Sequence, residues 1–177
     1  MINKTLVYIL IIPALFILMV SCSSGNEQSR QVQKKAINTI LDDWHLAATE
    51  ANFERYFMHF TGDSAIFMGT DATERWTVAE FKPWAKPYFD DGEAWDFTPV
   101  ERHVYLSDNR QTAWFDESLD TPNLGPARGS GVLVKQEKTW KIAHYNLSIP
   151  IPNALVDTVV KQVEKVLEDS VSEEVDD

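Results

Sequence analysis

The sequence predicts an α+β domain: a curved antiparallel sheet wrapped around helices that precede it in the chain. Helical apolar spacing fills the first half, four strand-like runs follow one another after Gly92, and no strand–helix–strand unit occurs. The 177 residues are 44% apolar and 11% aromatic, enough for one compact core.

Each element has a local reason. Val32, Ala36, Ile37, Ile40, Leu41, Trp44, Ala47 and Ala48 recur at three- and four-residue steps, so a helix starting near Arg30 lays one apolar stripe on a neighbour. Phe53 to Phe60 reads as a short second helix, and Ala65 to Gly69 as a strand ending in turn residues. Thr77 and Glu80 have the spacing of a capping box; Pro83 and Pro87 predict that the helix they sit in is short or bent. The strand candidates are Trp95–Ser107, Gln111–Leu119, Gly129–Gln136 and Thr139–Ile149, an antiparallel meander. Strict alternation in the last of them puts Trp140, Ile142, His144, Asn146 and Ser148 on one face, and Ala143, Tyr145, Leu147 and Ile149 on the other. Pro150 and Pro152 end it, and a Val-rich helical stripe follows from Val156.

The ends of the chain carry different signals. Lys4 followed by the apolar run Leu6–Val20 and then Ser21, Cys22, Ser23 and Ser24 has the layout of a secretory signal, too short for a spanning helix, which needs about 20 apolar residues. Cys22 is the single cysteine, so it has no disulfide partner within the chain. The expected division is a signal over residues 1–21, a polar tether over 22–29, a domain over 30–155, and a helix with an acidic tail over 156–177. That tail holds seven acids against Lys165 from Glu164 onward. A formal net charge of −11 excludes nucleic acid as a partner and excludes electrostatic adhesion to anionic lipid.

Two resemblances sharpen these expectations. Met19, Val20, Ser21 and Cys22 resemble the lipobox of bacterial lipoproteins, which implies acylation of Cys22 and a membrane-anchored protein of the cell envelope, on the outer rather than the inner membrane. The segments Leu41–His45, Tyr56–Phe57, Phe67–Trp76, Arg128–Leu133 and Trp140–Ser148, with Pro150 and Pro152, resemble the SnoaL-like branch of the nuclear transport factor 2 fold over about residues 30 to 155. That resemblance implies a cone enclosing a pocket. It also implies a choice among isomerase, cyclase or dehydratase chemistry, ligand binding without reaction, and pairing of two copies through the open sheet face.

Within such a cone, Asp116 and His144 are the acid/base candidates for ketosteroid-isomerase-like or polyketide-cyclase-like chemistry. The candidate pocket residues are Trp44, His45, Phe60, Asp71, Trp76, Trp84, Tyr88, Arg128, Trp140 and Asn146, with Glu74 beside Trp76 on one lip. His45 and His144 fit either a contact to a ligand polar group or a satisfied place in the core. Arg128 is expected to pair with Asp71, Glu74 or Asp116, as a clamp or an anion handle. No HxH, HExxH or CxxC spacing occurs, so no metal and no cofactor is expected. The favoured partner is a small, largely apolar or aromatic ligand held among the rings.

Overall fold

The computed structural model describes the backbone of residues 4–175 and the side chains of residues 27–168. Cys22 and the apolar run before it lie outside the residues with described side chains. Helix α1 spans Lys4–Thr49, its backbone running through residues 22–29. Its stripe is buried from Ile37 onward, with Ile37, Leu41, Trp44, Ala47 and Ala48 sealed and Ile40 partly covered, whereas Val32 and Ala36 at its predicted start are exposed. The short α2 (Phe53–Phe57) follows an elbow at Ala51, whose φ of 50° is left-handed, and is capped by Asn52. Asp43 fastens the elbow by pairing with Arg55 and accepting from His59 Nε2 at 2.9 Å. The Arg55 hydrogen bond holds the Asp43 carboxyl below its ordinary range.

Strands β1 (Ile66–Met68) and β2 (Arg75–Thr77) form a hairpin that the sequence showed only in its first arm. Thr77 then caps α3 (Val78–Asp90) with both halves of the capping box made. Pro83 and Pro87 sit within these 13 helical residues without ending the helix. The four predicted strands follow as β3 (Thr98–Leu106), β4 (Thr112–Asp120), β5 (Ala127–Gln136) and β6 (Thr139–Ser148). They form one curled sheet in the order β2-β1-β6-β5-β4-β3. The sheet is mixed rather than purely antiparallel, because β1 joins β6 in parallel.

One irregularity decides which side chains face inward. Val132 pairs with His144 but Leu133 pairs with Ile142, leaving Ala143 as an extra residue in β6. A bulge of this kind reverses the side-chain phase of everything beyond it. Trp140 and Ile142 face the core before it, Tyr145 and Leu147 after it. The segment after α2 brackets this point, with Ile142 N donating to His59 O and Thr61 N donating to Ile142 O.

Past Pro152, α4 (Val156–Val175) leaves the body. Val159 and Val163 form a groove with the tip of the β1–β2 hairpin, while Val160, Val163 and Leu167 stay largely exposed. Among the described residues no helix is long and apolar enough to cross a membrane.

Candidate functional site

The core of the cone is filled by rings. Trp44 from α1, Tyr56 and Phe60 from the α2 region, Phe81 from α3 and Tyr145 from β6 are all buried and in mutual ring contact through neighbours. Phe67 and Phe81 stack at 4.1 Å and 10°. The space left over lies at the mouth, where a slot of about 120 Å³ is walled by Phe67, Phe81, Trp76, Trp84, Trp95 and Phe97 and closed by Leu124 and Leu147. It adjoins a vestibule of about 500 Å³; Glu74, Trp84, Trp95 and Asn123 line both. The β1–β2 hairpin builds one lip. Gly69 N donates to Glu74 O, and a Cβ on Gly69 would strike the Glu74 carboxylate, so a larger residue there would force the Glu74 side chain aside.

One ring deeper than Trp95, the Tyr56 hydroxyl and the Trp44 Nε1 are buried without a hydrogen-bond partner. Burial holds the Tyr56 hydroxyl well above its ordinary pKa; the Trp95 and Trp44 indoles pull the other way, though neither closes a bond of full geometry to it.

A second feature is a buried charge network under the sheet. Glu117 is 2% exposed. Its Oε1 accepts from His45 Nε2 at 2.9 Å and from the Tyr145 hydroxyl at 3.4 Å, while its Oε2 accepts from Arg102 Nε at 2.7 Å. Arg102 Nη1 reaches outward to Asp42 at 2.6 Å, leaving Nη2 buried without an acceptor. Burial pushes the Glu117 carboxyl up, but the bonds and charges of His45 and Arg102 outweigh it and the net displacement is downward. Burial and the Glu117 charge together raise the Tyr145 hydroxyl well above its ordinary value. Both oxygens of Glu117 are thus engaged by donors, and the group lines neither the slot nor the vestibule. It is an anchor tying α1 to β3, β4 and β6. Gly129 makes room for it, because a Cβ there would collide with the Tyr145 hydroxyl and Glu117.

The expected site residues divide cleanly. Trp76 and Trp84 wall the slot, and Tyr88 and Glu74 line the vestibule. Trp44, His45, Phe60 and Trp140 are inside but packed, and His45 is satisfied by Glu117. The acid/base pair is not in the cone. Asp116 alternates with buried Phe115 and Glu117 and so lies on the outer sheet face; the bulge puts His144 and Asn146 on that same face. Arg128 is exposed there too and forms no ion pair with Asp71, Glu74 or Asp116; burial of its neighbours Ala127 and Gly129 turns it outward. Asp71 sits exposed at the hairpin tip, where its carboxylate accepts from Thr73 N and Oγ1. Phe67, Phe81, Phe97, Leu124 and Leu147 are wall residues outside the expected set, and Trp95 completes the wall.

A single curled sheet closed over a long helix, with a ring-walled opening at its mouth, defines a cone-shaped α+β domain. The chain belongs to the SnoaL-like domain family, whose model matches residues 37–152, well over half of its length. The fold is shared with an NTF2-like protein from Pseudomonas putida KT2440, with a TM-score of 0.59 and 11% identity over 70% of this chain and 90% of that one. A member of the NTF2-like family from Streptomyces avermitilis is similar at a TM-score of 0.59 and 12% identity, covering 70% and 99%. A cystatin-like-fold protein from Nostoc punctiforme reaches a TM-score of 0.55 at 12% identity, covering 67% and 92%. No curated protein matches the sequence significantly.

Proposed function

We propose that this chain is an exported lipoprotein, anchored through Cys22, whose cone mouth binds a small, largely apolar or aromatic molecule without transforming it. The observation that carries the binding reading is the slot, whose largely apolar ring walls are of the kind that hold flat ligands, opening into a vestibule lined by rings and carboxylates. The acid/base alternative draws no support from Asp116 and His144, which face away from the cavity, or from Glu117, whose oxygens are occupied.

Leu124→Trp should fill the slot from its loop side. Indole is expected to bind the full-length chain in calorimetric titration and to lose at least about ten-fold in affinity with L124W. Equal binding by both chains would remove the slot from consideration.

A second reading, pairing of two copies through the outer sheet face, is favoured by Tyr105 and Trp114. They stack there at 5.8 Å and 13° while 42% and 47% exposed, a ring pair with no cover in the monomer. Native mass spectrometry of the protein extracted from its own membranes reads all three claims. An acylated chain starting at Cys22, a dimeric mass and a retained small molecule are expected. A mass without acyl groups refutes the anchor, and a monomer refutes the pairing.

A further inference from the structure

We propose that the ligand of the cone mouth is an organic cation, with its apolar body in the slot and a quaternary or tertiary ammonium group in the vestibule. This rests on the reading of that cavity as a binding site and adds the sign of the ligand's charge.

The two cavities differ in chemistry. The slot walls are mostly rings and aliphatic side chains, with Thr70 and Asn123 as neutral polar members and Glu74 as the single charged one. The vestibule adds Glu93 and Asp96 to Glu74, beside the rings of Trp84, Tyr88 and Trp95. Neither cavity is lined by any Lys, Arg or His. None of the three carboxylates takes part in an ion pair among the described residues. Elsewhere on this surface acids do find bases: Asp63 pairs with Lys82, and Asp90 with Lys86, on the same helix that carries Trp84 and Tyr88.

The rings are arranged for the same sign. Trp84 and Tyr88, one turn apart on α3, share a face with ring centroids 5.1 Å apart. They remain 41% and 45% exposed. Ring faces carry the negative lobe of the aromatic quadrupole, so a cation seated over them gains electrostatically where an anion loses. A metal ion is a poorer occupant. Among the described residues no group of three His, Cys, Asp or Glu converges closely enough to hold one. Spread carboxylates with intervening rings suit a large, diffuse, weakly hydrated cation, the chemistry by which aromatic cages take quaternary ammonium groups.

The test is a matched series against the full-length chain by calorimetry: benzyltrimethylammonium, the neutral 2-methyl-1-phenylpropan-2-ol of nearly the same shape, and the anionic phenylmethanesulfonate. The cation is expected to bind about ten-fold or more tightly than the alcohol, with the sulfonate weakest. That advantage should shrink in high salt and in a Glu74→Gln, Glu93→Gln, Asp96→Asn variant. Trp84→Leu, at a half-exposed position, should cut it separately. An alcohol that binds as tightly as the cation overturns the charge assignment and leaves the cavity reading standing. Failure of all three overturns it as well, and the indole titration then shows whether the cavity reading falls too.

Discussion

Glu117→Gln is expected to lower unfolding stability by about 3 kcal/mol at neutral pH, the low end of what breaking a buried ion pair costs. The substitution keeps the shape of the side chain but leaves Arg102, 6% exposed at its side chain, with only the outer Asp42 as an anionic partner. Glutamine keeps one acceptor oxygen and turns an amide NH2 toward either Arg102 or the His45 and Tyr145 donors, so one side of the network meets a donor in place of an acceptor. Asp42 is what keeps the loss from being larger. For a chain of this length the effect corresponds to a fall of roughly 10 °C in Tm.

The pH dependence has a definite sign. Because the Glu117 carboxyl is held below its ordinary range in the folded state, its contribution is complete above the unfolded carboxylate pKa and disappears as pH falls through the lower folded value. The gap between the native chain and Glu117→Gln should therefore narrow in acid. Denaturant titrations at neutral and strongly acidic pH check this; a gap below about 1 kcal/mol, or one indifferent to pH, would mean the network does not hold the elements together. Replacing Arg102 by Met and Glu117 by Leu together should cost less than the two single changes added, since no buried charge is then left unpaired.

This network shows what the sequence makes legible and what it hides. On β4, Ala113, Phe115, Glu117 and Leu119 share one phase, and on β3, Arg102 shares the phase of Val104 and Leu106, so alternation alone places an opposite-charge pair inside. The same phase puts Asp116 on the outer face. The β6 bulge left a trace too. Apolar residues occupy the even positions up to Ile142 and the odd positions from Ala143 onward, the mark of a phase switch. Helix spacing and turn chemistry are local and were readable, as was the Thr77–Glu80 box. The slot was less so. Its walls come from β1, β2, α3, β6 and two loops, and which rings line a space rather than fill it depends on how far the sheet curls, a long-range quantity.

Phe81→Ala tests whether that ring wall is structure, site or both, and it carries the second large expected effect, about 3–5 kcal/mol of stability. Phe81 is fully buried, stacked on Phe67 and within 5.3 Å of the Trp76 centroid and 5.6 Å of Trp95. Its removal takes away apolar burial and leaves a void, because the neighbours are aromatic plates held from four different elements and cannot all shift inward. The void opens into the slot, since Phe81 is one of its walls. The variant should therefore be unstable and yet more receptive. Added indole is expected to raise the Tm of Phe81→Ala by more than it raises that of the native chain, because a ligand that binds only the folded state stabilises in proportion to its occupancy. Thermal melts at matched indole concentrations decide the matter. A loss under about 2 kcal/mol would mean the wall collapses on itself, and an unstable variant whose melting ignores indole would mean that the rings are packing alone and the space beside them is not a site.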